Sequence, residues 1–144
     1  MDGCPIRVLH VEDDRIQRSL VAHYLDAIKG HRFVVIGVES EDQAVDLFRR
    51  GGIDLVILDY QLVQGDGLHC LQQLRRIDPL VPVIAVSGIA TQEIAAKLIG
   101  AGADDYLDKQ SMDKRGLAQS VVSALTRARA VRARLAAIAV HASD

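Results

Sequence analysis

The sequence predicts an α/β protein built as a doubly wound parallel sheet, and three observations lead to this prediction. Five short aliphatic runs alternate with five segments of helical periodicity. Segments of this length return the chain to the same edge of a sheet through right-handed crossovers, which places helices on both faces. The 144 residues suit one domain with a single core.

The five predicted strands are short and rich in Val, Ile and Leu. The second is apolar throughout, so we expect it to be buried on both faces of the sheet. Because the chain has only two Phe, three Tyr and no Trp, aliphatic side chains must build the core. The strands are expected at residues 6–11, 33–38, 54–58, 82–86 and 105–107.

Apolar residues at three- and four-residue spacing predict the intervening helices. Gly51 and Gly52 end the second of these helices, and Asp78 and Pro79 end the third. The residues expected to face inward are Ile16, Leu20, Val21, Tyr24, Leu25 and Ile28 in the first helix, Ala44, Leu47 and Phe48 in the second, Leu68, Leu71 and Leu74 in the third, and Ile94, Ala95, Leu98 and Ile99 in the fourth.

Charge and composition argue against several functional classes. The net charge of −2 gives no electrostatic case for binding nucleic acid or a membrane surface. No apolar run approaches the roughly 18 residues of a membrane span, and no signal-peptide pattern opens the chain. Cys4 and Cys70 are far apart and at no metal-ligand spacing, so we expect reduced thiols and a cytoplasmic protein.

Polar residues follow four of the predicted strands at the point where each strand ends. In open α/β sheets, ligands bind beyond the carboxyl ends of the strands. Taken singly, Asp14 is expected to be a helix N-cap and Lys109 a solvated surface lysine. Their coincidence at one sheet edge predicts a site instead, formed by Glu12, Asp13 and Asp14 after the first strand, Asp59 after the third, Ser87 after the fourth and Lys109 after the fifth.

The residue types indicate phosphoryl chemistry with a divalent cation. Clustered carboxylates repel one another unless a cation lies among them, and oxygen ligands with open positions suit Mg²⁺. Asp59 beside such an ion can attack phosphorus and form an aspartyl phosphate. The metal and Lys109 would neutralise the charge on the transferring group, and Ser87 would donate its hydroxyl to a phosphoryl oxygen.

Four motifs in this order resemble the receiver domain of bacterial response regulators, over residues 5–128. They are Val11-Glu12-Asp13-Asp14, Leu58-Asp59 followed by Asp66-Gly67, Val86-Ser87-Gly88, and Gly102-Ala103-Asp104-Asp105-Tyr106-Leu107-Asp108-Lys109. The resemblance implies a CheY-like or flavodoxin-like strand order of 2-1-3-4-5. It also implies a phosphoacceptor, with Mg²⁺-dependent self-phosphorylation and autodephosphorylation, rather than an enzyme.

The resemblance further implies a role for each site residue. Asp59 would accept a phosphoryl group from a histidine kinase or phosphotransfer protein. Asp13 and Asp59 would be direct Mg²⁺ ligands, Gln61 would add its backbone carbonyl, and Glu12 would act mainly through water. Ser87 and Lys109 would bind the phosphoryl group, and Tyr106 would swing inward as the Ser87 hydroxyl moves.

Two residues depart from the family pattern. Gln110 follows Lys109 where the family usually has proline after a cis peptide bond. Because a cis bond before a non-proline residue costs about 3–4 kcal/mol, we predict a trans Lys109–Gln110 bond and a less constrained loop. Val63 stands where the family favours proline, which predicts a more mobile loop after the acceptor.

The last helix is expected to run from an N-cap at Ser111, with Asp113 in its first turn, to about residue 140. We divide the chain into a receiver at 1–128 and an extension at 129–144. An a/d heptad pattern continues into the extension through Val131, Leu135 and Ile138, and suggests a two-stranded homodimer or a connector to an output module. The neighbouring arginines at 127, 129, 132 and 134 are weak grounds for nucleic-acid binding, which we do not expect.

Two other functional classes need features that this sequence lacks. Phosphatases that form an aspartyl phosphate need a second aspartate two residues after the first, where this chain has Gln61. A flavodoxin-like cofactor carrier needs a phosphate-cradling loop after the first strand, where Glu12 to Asp14 would repel phosphate. A constitutive interaction module, or the receiver of a larger regulator or hybrid kinase, remains an alternative.

Overall fold

The computed structural model describes residues 3–62, 64–89 and 91–143. Its strands are β1 (Ile6–Val11), β2 (Phe33–Val38), β3 (Leu55–Asp59), β4 (Val83–Ser87) and β5 (Asp105–Asp108). Its helices are α1 (Arg15–Asp26), α2 (Glu41–Arg49), α3 (Gly67–Ile77), α4 (Gln92–Gly100) and α5 (Lys114–Ser143). All strand pairs are parallel, in the order β2-β1-β3-β4-β5, which confirms the predicted fold class.

The sheet buries its centre and exposes its edges. Every residue of β3 and β4 is buried, as expected of strands covered by helices on both faces. The expectation that β2 is buried on both faces was wrong. It lies at an edge of the sheet, and Val34 is 45% exposed there. Apolar composition therefore did not distinguish this edge strand from a central one.

Two aliphatic clusters, one on each face of the sheet, form the core. Side chains alternate between the faces along each strand, so Leu9 and Val11 belong to one cluster, whereas Ile6 and Val8 belong to the other. The first cluster packs under α2, α3 and α4, and the second under α1 and α5. The core is aliphatic, as the shortage of aromatic residues predicts.

Local capping explains where the helices begin. The carboxylate of Asp14 accepts the backbone N–H of Ile16 at 2.9 Å, which confirms it as the N-cap of α1. Ser40, Asp66 and Thr91 cap α2, α3 and α4 in the same way. Ile16 was wrongly expected to face inward and is 77% exposed, and Ile99 in α4 is also exposed.

The N-cap of the last helix lies two residues later than expected. The N–H of Gly116 donates to Asp113 Oδ1 at 2.7 Å, so Asp113 rather than Ser111 caps α5. Leu117, Val121 and Leu125 are buried against the sheet. The helix then continues without interruption past residue 128, and all its side chains from 129 to 142 are exposed. The division between a receiver and an extension stays a prediction.

The remaining expectations concern membranes and thiols. Within the part of the chain that the structure describes, no helix combines the length and the apolar character that a bilayer crossing needs. Cys4 is exposed and Cys70 is buried, and both are free thiols. Burial raises the pKa of Cys70 to about 12, with the nearby Glu41 carboxylate adding to the effect, so this thiol is protonated at neutral pH.

Candidate functional site

Asp59 ends β3 at the carboxyl edge of the sheet, where its side chain is almost fully buried. Its Oδ1 accepts the backbone N–H of Gln61 at 3.1 Å. Its Oδ2 lies 3.0 Å from Lys109 Nζ, and the same ammonium lies 2.7 Å from Glu12 Oε1. The structure thus joins residues that follow β1, β3 and β5 in one set of ion pairs.

Glu12, Asp13 and Asp59 form an acidic cluster at this edge. One carboxylate oxygen from each residue lies within 4.8 Å of the others. Carboxylates this close together repel one another, and a hard dication such as Mg²⁺ would offset that repulsion. The donor set therefore fits the cofactor that the sequence predicts.

Burial and neighbouring charges shift the pKa values of Lys109 and Glu12. Burial tends to lower the pKa of Lys109, but the hydrogen bonds to Glu12 and Asp59 outweigh it and the net shift is upward. Burial raises the pKa of Glu12 to about 7 against the opposing effect of Lys109, and repulsion from Asp59 adds to the rise. Because of its burial, and to a lesser degree the nearby Asp59 carboxylate, Glu12 retains a proton more readily than an exposed glutamate does.

Both carboxylate oxygens of Glu12 already have protein partners. Oε1 pairs with Lys109, and Oε2 accepts the backbone N–H of Asp14 at 3.1 Å. Asp59 is held in a similar way by Gln61 and Lys109, so these contacts do not rank the two carboxylates as metal ligands. The role of Glu12 through water stays a prediction.

Ser87 and Tyr106 meet at the loop that follows β4. The Ser87 hydroxyl accepts the backbone N–H of Ile89 at 3.0 Å and donates to the carbonyl oxygen of Ile89 at 3.1 Å. The Tyr106 hydroxyl donates to the same carbonyl oxygen at 3.0 Å. The two residues expected to form the switch are therefore connected through one peptide group.

The loop that contains Lys109 adopts only trans peptide bonds, as predicted for Lys109–Gln110. The N–H of Lys109 donates to the Ser87 carbonyl at 2.9 Å, and the N–H of Gln110 donates to Asp108 Oδ1 at 2.9 Å. A proline at 110 has no N–H and could not make the second bond. The hydrogen bond from Gln110 thus constrains the loop in place of a cis proline, which offsets the predicted loss of constraint.

The loop after Asp59 is held at both ends. Gln61 forms an isolated antiparallel bridge with Asp66, which fixes the peptide whose carbonyl we expect to bind Mg²⁺. A Cβ atom on Gly67 would lie 2.5 Å from the Asp59 carbonyl oxygen, so only glycine fits there. Val63, on which the prediction of mobility depends, lies outside the described residues.

Several residues around the site were missed by sequence reasoning. Arg18 donates to the backbone carbonyl of Glu12 at 2.6 Å. Glu41, a buried carboxylate in the first turn of α2, accepts hydrogen bonds from His69 and Gln73 and holds the N–H of Asp66 at 3.4 Å. These contacts join residues from different elements, and no spacing in the sequence predicts them.

His10 lies beneath the site on β1 and is also buried. Among the residues that the structure describes, neither of its ring nitrogens has a hydrogen-bond partner. Burial lowers the pKa of His10 to about 3, with Lys109 and Arg18 contributing repulsion. His10 is therefore neutral at physiological pH and adds no charge below the acidic cluster.

Val131, Leu135 and Ile138 are not brought to this site. Leu125, Arg129 and Arg132 of α5 line a cavity with Asp54 and Pro82, which precede β3 and β4. The extension therefore leaves the body at the edge of the sheet opposite to Asp59.

Comparison with known proteins gives a consistent result. A family model described as the response regulator receiver domain matches residues 8–143. The chain is 31% identical, over 74% of its length, to a protein-glutamate methylesterase/protein-glutamine glutaminase from Azospirillum brasilense. It is 31% identical, over 72% of its length, to the cell cycle response regulator CtrA from Brucella ovis. The crystal structure of NtrX from Brucella abortus superposes on 90% of the chain with a TM-score of 0.79 and 28% identity.

The chain matches only part of each of these proteins. It covers 27% of the methylesterase, 44% of CtrA and 28% of the NtrX chain. The similarity is thus to a regulatory module that these longer proteins share.

Proposed function

The chain belongs to the response regulator receiver family, and on that premise we propose that it is a phosphorylation switch whose acceptor is Asp59. A histidine kinase or phosphotransfer protein supplies the phosphoryl group, and Mg²⁺ is the cofactor. The observation that carries this proposal is the position of Lys109 Nζ, which lies 3.0 Å from Asp59 and 2.7 Å from Glu12 beside the acidic cluster.

The chemistry requires one bond to form as another breaks. A carboxylate oxygen of Asp59 attacks phosphorus, and the bond from phosphorus to the donor's imidazole nitrogen breaks with its electron pair staying on that nitrogen. Lys109 remains protonated and balances charge on the phosphoryl oxygens. Bound Mg²⁺, held by Asp13, Asp59 and the Gln61 carbonyl, would supply further charge neutralisation. The chain acts here as a phosphoacceptor and not as an enzyme on another substrate.

Ser87 and Tyr106 would change their contacts in response to the phosphoryl group. Once an oxygen of the phosphoryl group is available, the Ser87 hydroxyl turns to donate to it and leaves the Ile89 carbonyl. The Tyr106 hydroxyl shares that carbonyl, so the change at Ser87 alters the contacts of Tyr106. This order of events makes the β4–α4 loop the element that responds to phosphorylation.

The output of the switch is proposed to involve the extension at 129–144. Its stripe of Val131, Leu135 and Ile138 is exposed and can serve a second copy of the chain or a different partner. We place the protein in the cytoplasm, where its donor and reduced thiols are expected. Because the chain spans less than half of its longer relatives, the activities of those relatives are not assigned to it.

Intact-mass measurement with acetyl phosphate and Mg²⁺ tests the central proposal. Wild type should gain the mass of one phosphoryl group, and Asp59→Asn should gain none. Asp14→Asn is the matched control, because asparagine also caps helices and Asp14 serves as the N-cap of α1. Chelation of Mg²⁺ should abolish the gain. An unmodified wild type, or a phosphorylated Asp59→Asn, would refute the assignment of Asp59.

A further inference from the structure

The extension of α5 presents a short apolar stripe to solvent. Val131 is 41% exposed, Leu135 47% and Ile138 58%, and their i, i+4, i+7 spacing puts them on one face. The helix continues to Ser143, well past the last residue that packs on the sheet. These three side chains are therefore arranged as anchors for a surface outside the body of the domain.

The charge on this helix has a single sign. Residues 114–143 include six Lys and Arg and no Asp or Glu. With the stripe at the a and d heptad positions, Arg127 and Arg134 occupy the g positions on one flank and Arg132 the e position on the other. Arg132 is held in place by Asp78, with its guanidinium 3.0 Å from the carboxylate. Positive charge therefore borders the stripe on the g flank, at Arg127 and Arg134, whereas Asp78 already balances the charge of Arg132 on the e flank.

This charge pattern opposes pairing with a second copy of the chain. In a parallel pair, Arg127 of one helix would face Arg132 of the other, because g and e positions meet across the interface. In an antiparallel pair the same flanks meet each other, and arginine again faces arginine. Neither orientation brings a carboxylate to an arginine.

The stripe is also narrow, because arginines and alanines flank its aliphatic side chains. A flat or convex surface would cover each of these side chains on one side only. A concave partner surface encloses such a helix on several sides and buries more of each anchor.

We propose that the extension docks, apolar face first, in a groove of a partner protein that is apolar at its base and rimmed with carboxylates. Three anchors at i, i+4 and i+7 match the helix-in-groove mode of recognition. Arg127 and Arg134 on the g flank then meet acidic residues, which speeds association and fixes orientation. This inference rests on the proposed function in one respect, namely that the extension is the output surface.

An anionic membrane surface is a poorer match. Helices that bind in the membrane interface usually bury Trp, Phe or Leu over a broad face. Here the face has one Leu, no aromatic residue, and alanines between the anchors, while Val140 projects from a different side of the helix. Binding to vesicles is accordingly an outcome that would count against the proposal.

The test titrates the full-length chain into Ca²⁺-loaded calmodulin, an acidic protein whose groove takes basic amphipathic helices. Isothermal calorimetry should show binding that disappears when Ca²⁺ is removed. Leu135→Asp should weaken it by about tenfold or more, since burying a leucine is worth roughly 1.5–3 kcal/mol. The double variant Arg127→Glu/Arg134→Glu should also weaken it, and raising the salt concentration should shrink that difference.

Two variants serve as matched controls. Val140→Asp changes an exposed aliphatic residue of the same helix outside the stripe, and Arg115→Glu reverses a charge far from it. Both should bind as wild type does. In parallel, light scattering should show no dimer that Leu135→Asp dissociates, and vesicles of phosphatidylglycerol and phosphatidylcholine should bind none of the chain.

Three results would overturn the proposal. They are failure to bind Ca²⁺-calmodulin, a dimer that depends on Leu135, and vesicle binding that depends on Leu135. The titration uses the unphosphorylated chain and is repeated with Asp59→Asn. Its failure therefore leaves the phosphorylation proposal untouched, and failure of phosphorylation leaves the docking result standing.

Discussion

Ser87 and Tyr106 donate their hydroxyls to the same acceptor, the backbone carbonyl oxygen of Ile89, at 3.1 Å and 3.0 Å. Ser87 ends β4 and is fully buried, whereas Tyr106 lies on the edge strand β5 and is only partly buried. A carbonyl oxygen has two lone pairs and can accept both bonds. The buried hydroxyl of Ser87 and the partly exposed side chain of Tyr106 are thus connected through one shared hydrogen-bond acceptor.

This link predicts unequal and coupled effects on stability. Ser87→Ala removes both hydrogen bonds of a fully buried hydroxyl and should lower the free energy of unfolding by about 1–3 kcal/mol. Tyr106→Phe removes a bond near solvent and should cost less than about 1 kcal/mol. The double variant should deviate from the sum of the single ones by about 0.5 kcal/mol or more. Urea unfolding measures all three, and strict additivity would show that the shared carbonyl does not couple them.

Lys109 neutralises two nearly buried carboxylates, and its removal should be costly. Lys109→Met leaves Glu12 and Asp59 buried without their common partner, so the free energy of unfolding at pH 8 should fall by about 3–5 kcal/mol. The loss should shrink at pH 5, which lies below the raised pKa of Glu12, because Glu12 then takes up a proton. Addition of Mg²⁺ should restore part of it.

The matched control for this prediction is Lys97→Met. Lys97 forms an exposed pair with Glu93 at 3.6 Å in α4, and such a pair contributes about 0.5 kcal/mol or less. If the two methionine variants lost equal stability, the charge balance ascribed to Lys109 would be incorrect.

The raised pKa of Glu12, about 7 in the folded protein without metal, predicts a dependence on pH. Between pH 4.5 and 7 the folded state binds more protons at Glu12 than the unfolded state does. The contribution of Glu12 to stability is therefore fully present at low pH and is lost as pH rises through 7. Because Mg²⁺ binding requires the charged cluster, the apparent Kd for Mg²⁺ should rise by about fivefold between pH 7 and pH 6.

Calorimetry of Mg²⁺ binding at several pH values checks this dependence. Glu12→Gln cannot ionise, so its affinity for Mg²⁺ should vary much less between pH 6 and pH 8. A variant that kept the wild-type dependence would indicate that another group takes up the proton.

Gly67 is predicted to be the least replaceable glycine near the site. In Gly67→Ala the new Cβ would lie 2.5 Å from backbone atoms of Asp59 and Tyr60, so the acceptor loop must shift. We expect a loss of about 1–3 kcal/mol in the free energy of unfolding and slower phosphorylation. Gly100→Ala is the control, because its Cβ meets nothing within 4 Å and alanine favours a helix by about 0.5–1 kcal/mol. Thermal unfolding compares the two, and an unaffected Gly67→Ala would show that the close approach is not tight.

Local sequence patterns determined most of the element order in this protein. A strand of aliphatic residues followed by Asp, Ser or Lys marks its own carboxyl end, which is why β3 and β4 were predicted to within one residue. Because parallel strands end at a common edge, the same pattern also placed Glu12, Asp59 and Lys109 together. The cap at Asp14 acts within three residues and was predicted for the same reason, whereas the cap predicted at Ser111 lies at Asp113.

Tertiary structure decided what depends on neighbours from other elements. The apolar run of β2 is ordinary for a central strand, and only the strand order makes it an edge. Ile16 has the periodicity of a core residue, but α1 turns Val21 and Leu25 to the sheet instead. Hydrogen bonds such as that from Arg18 to the Glu12 carbonyl join two parts of the chain, so neither segment predicts them by itself.

The sequence by itself thus determined which residues gather at the acceptor edge and where the chain carries an unpaired apolar stripe. The tertiary structure decided how they are held, with Lys109 between two carboxylates on a trans peptide and Ser87 joined to Tyr106 through Ile89. The physical reason is the separation along the chain over which each kind of interaction acts. Propensity, capping and periodicity act over a few residues, whereas ion pairs and shared acceptors depend on distances that exist only after the sheet has assembled.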